Sequence, residues 1–348
     1  MTEFSKEIRS LLDETIAGNE DLKPILKKMK AIRSFEKIPG DASTRRYYRV
    51  QAETGSFIAM LMEDYSEQGD KLNFLAVQKH LAATQVSVPQ VLDSDPKRGF
   101  ILLEDLGDIT LLRRLQEVSS PDTERHLYEQ VLDSLVRLQI HASKKKTVEL
   151  DAFKLRFDHE KLMWEMGFTI EHFYQLHLQR NVSTAALKTM NEGFSEICTI
   201  LANEPTVLAH RDFHSRNIMV APGDRLVMID FQDARMGPAQ YDLASLLKDS
   251  YYQLEESQIQ NLLNYYIARW EAQADRPIDR AHFVHIFDLM ALQRNFKAIG
   301  SFASFLNRRG NATYLKYIGN TFENIRRTLL KYPQYSSLRE VLFHYYYF

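Results

Sequence analysis

One cysteine in 348 residues, Cys198, leaves no partner for an internal disulfide and too few thiolates for a cysteine-based zinc site. It stands in FSEICTILA, where Phe194, Ile197 and Leu201 recur at helical spacing, so it reads as a core thiol with no base beside it. Long apolar runs are also missing. The longest, FIAMLM, is far short of the ~20 residues a membrane-crossing helix needs. Charge of one sign is not in excess either: 44 Lys and Arg stand against 46 Asp and Glu. That balance gives no electrostatic reason to bind nucleic acid or an anionic membrane. The one compact lysine run, SKKKT at 143–147, reads as a solvated loop. The start, MTEFSKEIRSLLDETI, mixes both signs of charge and lacks the apolar core of a secretory signal. Together these absences lead to the expectation of a soluble, cytoplasmic protein with neither a nucleic-acid nor a membrane partner.

What is present has ordinary globular composition, 45% hydrophobic and 26% charged, with enough length for two lobes. No internal repeat or low-complexity linker divides it. Residues 1–30 read as helical, with Phe4, Ile8, Leu11, Leu12 and Ile16 on one face. The pattern then turns to strands: SFEKIP, RRYYRVQA and SFIAMLMED, separated by the turn signals GDAST and ETGS, predict an antiparallel meander. DKLNFLAVQKHLAAT predicts a helix through Leu72, Leu75, Val77 and Leu81, and VPQVLDSD and RGFILLEDLG predict two further strands. After Thr110 helical spacing dominates, as in HLYEQVLDSLVRLQIHA with Leu127, Val131, Leu135 and Leu138 on one stripe. The expectation is an α+β chain. A small sheet-plus-helix lobe (1–106) precedes a larger, mainly helical lobe (107–348) that a strand pair interrupts at 217–230.

That strand pair carries the chemistry. HRDFHSRNIMV places Asp212 and Asn217 five residues apart, and RLVMID ends on Asp230. Between them APGD is a turn signal. A hairpin folded about Gly223 and Asp224 sets Val220 against Val227, Ile218 against Ile229 and Asn217 against Asp230. Directly opposed residues have Cβ atoms about 4.5–5.5 Å apart, so the amide and the carboxylate would converge. Hard oxygen donors of this kind suit Mg2+ that also binds substrate phosphates. Asp212, on the loop entering that end, could accept a hydroxyl proton. The layout is one for phosphoryl transfer. A plain capped hairpin with solvated polar ends is the bland alternative.

With those residues in view, the chain resembles the protein-kinase-like fold in its aminoglycoside phosphotransferase and choline kinase branch. HRDFHSRN looks like that branch's catalytic loop, IDFQDA like its metal-binding segment, and GPAQYDLASLL like the segment that follows. Four stretches taken together, GDASTRRYYRV, GFILLEDLGD, HRDFHSRNIMV and LQRNFKAIGSFASF, resemble the bacterial cell-wall sugar kinases that phosphorylate the anomeric hydroxyl of N-acetylmuramate and N-acetylglucosamine. The resemblance implies ATP and Mg2+ as cofactors and a small molecule, an amino sugar, as acceptor. It implies Asp212 as catalytic base, and Asn217 and Asp230 on the metal. His210 would orient the loop or simply pack. His214 would lie near the substrate or be structural, and Asp233 would support the metal site or be a solvated charge. Asp242 is expected to brace the loop rather than to react. PGDAST would cover the phosphates with Gly40 and Ser43, and the backbone of Glu104 and Leu106 would meet adenine.

One departure stands out. Where kinases of this fold carry a third-strand lysine for the phosphates, this chain has Met60 and Met62. Alternation along STRRYYR puts Arg45, Tyr47 and Arg49 on one face and Arg46, Tyr48 and Val50 on the other, so Arg45 or Arg46 is expected to replace the lysine. In QRNFKAIG, Arg294 and Lys297 share a helical face. The pair could receive the lactyl carboxylate of N-acetylmuramate, with Arg294 as the expected acceptor-binding residue; a solvated helical face is the bland alternative and the slightly favoured one for Lys297. Kinases of an aminoglycoside or another hydroxyl metabolite remain open, as does a nucleotide-binding pseudokinase scaffold. A hydrolase using HRDFH as an H-x-D-x-H metal site lacks further ligands nearby.

Overall fold

The computed structural model describes residues 32–38, 45–52, 55–144 and 150–347. The expected helix over 1–30 and the turn holding Gly40 and Ser43 lie outside them. The small lobe is a five-stranded antiparallel sheet of β1 (Ile32–Ile38), β2 (Arg46–Ala52), β3 (Gly55–Leu61), β4 (Val91–Asp95) and β5 (Phe100–Glu104), ordered β1-β2-β3-β5-β4. Tyr48, Val50, Ala59, Leu61, Phe100 and Leu102 alternate onto one face and bury each other there. The opposite face carries Arg45, Tyr47, Arg49, Ile58 and Leu103 toward a cleft. The turn into β5 needs a glycine: Gly99 has φ +61, and a Cβ on it would stand 2.1 Å from the Met62 carbonyl oxygen.

Helix α1 (Asn73–Ala83) packs under this sheet, burying Phe74, Leu75, Val77 and Leu81. Its His80 Nε2 lies 2.8 Å from the Ala142 carbonyl, which pins the small lobe to the large one. The large lobe contains α2 (Leu111–Glu117), α3 (Pro121–Arg137), α4 (His159–Thr169) and α5 (Thr184–Ala202). A strand-rich insertion follows: β6 (Thr206–Ala209), β7 (Ile218–Ala221), β8 (Arg225–Met228) and β9 (Arg235–Pro238), with β7 paired to β8 and β6 to β9. Then come α6 (Gln240–Leu247), α7 (Glu256–Ala274), α8 (Arg280–Arg309), α9 (Ile318–Leu330) and α10 (Ser336–Tyr347).

Helix α8 is the spine of the lobe, because Ile286 through Phe296 is a nearly unbroken buried run and Ile299, Phe302 and Ala303 extend it. It crosses α4 at Gly300, where a Cβ would meet Thr169 Oγ1 at 2.3 Å and Thr169 Cα at 2.7 Å. The small residue sets how closely the two backbones approach. One apolar core runs from Met60 and Phe74 in the small lobe to Phe302 and Leu342 in the large one. The aromatic end of the chain is docked on it: Tyr346 stacks on Phe322 with ring centroids 4.1 Å apart. Cys198 is buried in the same core, and burial pushes its thiol up to about 12, in keeping with an unreactive role. Among the described residues no helix is long and apolar enough to cross a membrane.

Candidate active site

A cleft of about 1490 Å3 separates the sheet from the helical lobe, more than the ~300–1,000 Å3 typical of one ligand, so there is room for two. Asp212, His214, Asn217 and Asp230 line its floor, and Arg45 and Tyr47 its roof.

The loop 210–217 is held in place by two buried carboxylates from the region after it. Asp242, inside α6, accepts the N–H of His210 at 2.6 Å and of Arg211 at 3.0 Å. Burial raises its pKa despite those bonds and the nearby His210 and Arg294. Asp249 accepts the Ser215 N–H at 3.0 Å, the Ser215 hydroxyl at 2.6 Å and the Tyr251 N–H at 2.9 Å. Between these posts Arg211 adopts φ +85, a left-handed conformation that a side chain disfavours and that the flanking bonds impose. The bracing expected of Asp242 is thus made through backbone N–H groups. The His210 ring is buried edge-on to Phe213, and among the described residues neither of its nitrogens has a hydrogen-bond partner.

The hairpin differs from the expected register by one residue. Ile218 opposes Met228 and Val220 opposes Leu226, because the loop is the three-residue Pro222-Gly223-Asp224, with Gly223 at φ +75 and Asp224 at φ +55. Asn217 therefore opposes Ile229, whose N–H donates to the Asn217 carbonyl at 2.9 Å. A slip of one residue ordinarily sends a side chain to the wrong face. Here Asp230 itself turns left-handed, φ +64, and its Oδ2 comes back to 3.5 Å from Asn217 Nδ2. The two side chains meet, but by a strained residue and not by direct cross-strand pairing.

Asn217 Nδ2 also donates to the Asp212 carbonyl at 2.9 Å, which leaves the amide oxygen as the free hard donor. Asp230 faces the cleft, and its Oδ1 is steadied by Gln232 Nε2 at 2.7 Å. Among the described residues no three His, Cys, Asp or Glu side chains form a metal cage. One amide oxygen and one carboxylate suit a Mg2+ that takes its remaining ligands from water and from a nucleotide.

Asp212 is set in a ring of cations. Its Oδ1 is 3.2 Å from Lys297 Nζ and 3.6 Å from Arg294 Nη1, and its Oδ2 is 4.0 Å from Arg211 Nε. Burial works to raise its pKa, but Lys297, Arg294 and Arg211 outweigh that and hold the carboxyl well below the usual range. Lys297 was expected on a solvated face; instead it turns inward onto Asp212, since the opposing charge is the strongest acceptor within its reach. Arg294 is buried, donates to Tyr241 Oη at 2.8 Å and Ser245 Oγ at 2.7 Å, and stacks on the Tyr241 ring. His214 stands edge-on to Tyr251, and burial drives its pKa to about 3. Asp233 pairs with Arg211 at 3.1 Å and so steadies the loop from the far side.

In the roof, Arg45 and Arg46 part as alternation requires. Arg46 is exposed on the face shared with Tyr48, whereas Arg45 lines the cleft, 5.6 Å from the Phe74 ring. Arg45 hydrogen-bonds Tyr47, which also feels the charge of Asp230. Arg49 is committed to Asp105 at 2.7 Å and Asp108 at 2.8 Å, tying the sheet to the segment between the lobes. Met60 is wholly buried in the core that includes Phe74. Helix α1 also carries no acidic residue, so among the described residues neither half of the lysine–glutamate pair of protein kinases stands at its usual place.

The Glu104 N–H donates to the Gln90 carbonyl at 3.0 Å, so that group is committed to the small lobe. Its carboxylate pairs with Arg225 of β8 and accepts the Gln90 N–H at 3.2 Å. Leu106 is buried against Ala221 and Val227. Ile58 and Leu103 above, with Met219 and Ile229 below, form an apolar slot in the cleft beside it. Sequence reasoning singled out neither Tyr47, Asp249 nor Lys71, which lies at the cleft edge. The signal available for Asp249 was only an aspartate shortly after the loop.

A two-lobed fold with an Asp–Asn–Asp floor and a cationic roof defines a phosphotransferase of the kinase-like class. The chain belongs to the phosphotransferase enzyme family, whose model matches residues 34–278. It is 31% identical over 306 residues to the N-acetylmuramate/N-acetylglucosamine kinase of Neisseria meningitidis, covering 87% of each chain. It is 32% identical to the enzyme of the same name from Pseudomonas aeruginosa, covering 87% of this chain and 86% of the relative. In fold it is similar to the choline kinase of Cryptosporidium parvum, with TM-score 0.62, 14% identity, and 92% and 97% of the two chains covered. An ADP-bound aminoglycoside phosphotransferase matches with TM-score 0.54, 15% identity, and coverage of 89% and 99%.

Proposed function

We propose that this chain is an ATP- and Mg2+-dependent kinase that phosphorylates the anomeric hydroxyl of an N-acetylmuramate- or N-acetylglucosamine-type sugar, for recycling of cell-wall sugars. The observation that carries the acceptor class is the lining of the cleft beyond Asp212. Lys297, Arg216 and Arg294 stand there with the rings of Tyr251, Phe302, Phe305 and Tyr314. Asp212 and Asp249, which line the cleft with them, are engaged by Lys297 and Arg294 and by Ser215 and Tyr251. A choline-like or aminoglycoside cation would find both of these carboxylates already engaged. A hydroxyl-rich sugar finds aromatic faces and donors.

In this reading residues through 106 form the nucleotide lobe and the remainder carries the acceptor. Adenine enters the slot of Ile58, Leu103, Met219 and Ile229, and Arg45 takes the role of the missing lysine on the phosphates. Mg2+, when bound by Asn217 and Asp230, would neutralise phosphate charge as the γ-phosphoryl leaves ADP. Asp212 accepts a hydrogen bond from the anomeric hydroxyl and aligns its oxygen with phosphorus. As the new O–P bond forms and the bond to ADP breaks, the hydroxyl proton passes to Asp212. So acidic a carboxyl is a weak base, which fits a loose transition state in which alignment matters most and the proton moves late. His214, neutral at physiological pH, can offer the sugar a hydrogen bond without adding charge.

The test is ADP release with Mg2+ and ATP against N-acetylmuramate, N-acetylglucosamine, an aminoglycoside, choline and buffer, with phosphorus NMR of the product. Sugar-dependent release of an acid-labile anomeric phosphate is expected. Asp212→Ala should lower turnover by at least ~10^2-fold while leaving nucleotide binding intact. Turnover with an amine acceptor alone would overturn the sugar assignment. ATP binding without turnover of any acceptor would favour the scaffold reading, whose support is Met60 in the lysine's place.

A further inference from the structure

The ion pair on the cleft wall has one partner that is free to change allegiance. Lys297 Nζ carries three donors, and among the described residues its hydrogen bond goes to Asp212 Oδ1, at 3.2 Å. Its side chain is 16% exposed and that of Asp212 26%, so both reach the cleft while largely shielded from water. Arg294, which shares the same oxygen, is differently placed: its two terminal nitrogens are fixed on Tyr241 and Ser245. The other charges around Lys297 are also spoken for. Glu165 of α4 is met by Lys161 at 3.6 Å and by Gln293 at 2.9 Å, and Asp233 by Arg211 at 3.1 Å. Three cations thus converge on the single carboxylate of Asp212. One turn along α8 from Lys297, Ser301 and Phe302 continue the same wall of the cleft, followed by Phe305.

We infer that Lys297 anchors a carboxylate borne by the acceptor, making a carboxylate-bearing amino sugar the preferred substrate over its neutral counterpart. The inference rests on the sugar-kinase reading above. A second carboxylate supplies the negative charge that this cluster lacks, and the ammonium holds it with a donor that Asp212 does not use. Lys297 then divides its charge between substrate and Asp212, which frees Asp212 to turn toward the hydroxyl. A neutral sugar leaves Lys297 wholly on Asp212. Lys297 is in this sense the residue through which the acceptor's charge is read.

The experiment compares kcat/KM for N-acetylmuramate, its methyl ester and N-acetylglucosamine in the wild-type protein, Lys297→Arg and Lys297→Met. Charge-assisted hydrogen bonds of this kind are worth on the order of 10- to 100-fold. The wild type is expected to favour the free acid over its ester by that factor, with the ester behaving like N-acetylglucosamine. In Lys297→Met the ratio of acid to ester should collapse to within about threefold, and Lys297→Arg should retain part of it. Equal use of acid and ester by the wild type overturns the inference even where Lys297→Met fails to fold or to turn over. A ratio preserved in Lys297→Met overturns it as well, because the carboxylate is then held elsewhere. In both cases sugar-dependent turnover leaves the kinase reading standing. A wild type that phosphorylates none of the three sugars overturns both.

Discussion

Replacing Asp242 with alanine removes the acceptor of two N–H groups, the buried one of His210 at 2.6 Å and the partly buried one of Arg211 at 3.0 Å. An orphaned buried donor costs about 1–3 kcal/mol, so two cost about 2–6. Part of this is offset, because the carboxylate itself is unfavourably buried, as the upward push on its pKa records. The expected loss is about 2–4 kcal/mol by urea or thermal unfolding. Asp242→Asn keeps one accepting oxygen of the two and should lose about half as much. Activity should suffer more than stability, since Arg211 at φ +85 would relax and carry the adjacent Asp212 with it. A displacement near 1 Å costs about 10^2-fold in rate. The decisive assay is kcat of Asp242→Asn at a temperature where the variant is fully folded. A variant within ~1 kcal/mol of wild type and within threefold in kcat would refute the argument that Asp242 is what positions the loop.

Three further outcomes follow from the same geometry. Arg45→Met should raise KM for ATP about tenfold or more, while Arg46→Met, on the opposite face of β2, should stay within about twofold; steady-state kinetics in ATP decides it. Asp249 is raised by burial to about 6, above its unfolded value near 3.8. Its contribution to stability is therefore fully present below pH ~3.8 and lost as pH rises through about 6, roughly 3 kcal/mol in all. Chemical unfolding against pH should display that falling component between pH 4 and 6, and Asp249→Asn should remove it at the cost of a lower baseline. Gly300→Ala forces a methyl against Thr169 Oγ1 and Cα and should cost about 1–3 kcal/mol in unfolding free energy; a neutral result would mean that α4 and α8 can part there.

The residues of the floor could be named from sequence because their chemistry is encoded in short spacings: Asp212 to Asn217 along one loop, and Asp230 at the end of one strand. The sheet and α1 were legible for the same reason, as alternation and helical periodicity are local. The hairpin register was not, because a Pro-Gly-Asp turn with two left-handed residues takes three positions where a two-residue turn was expected. The convergence of Asn217 and Asp230 then depended on the left-handed Asp230, and backbone strain imposed by tertiary contacts leaves no trace in residue type. Alternation separated Arg45 from Arg46 but could not say which face meets the cleft; the position of Phe74 decides that. Helical spacing put Lys297 on one face with Arg294, but could not say that the face turns inward; only the packing of α8 delivers Lys297 to a carboxylate 85 residues away in the chain.

The small lobe joins its sheet to its helix through Met60 and an apolar core, where protein kinases use an ion pair. An ion pair responds to ionic strength and apolar packing does not, whereas apolar packing weakens on cooling. The two duties of the missing lysine have thereby been separated. Holding α1 against the sheet answers to temperature, and holding phosphate, which the proposed function gives to Arg45, would answer to salt. Nucleotide affinity in this protein should weaken with added salt while the lobe that binds it stays assembled.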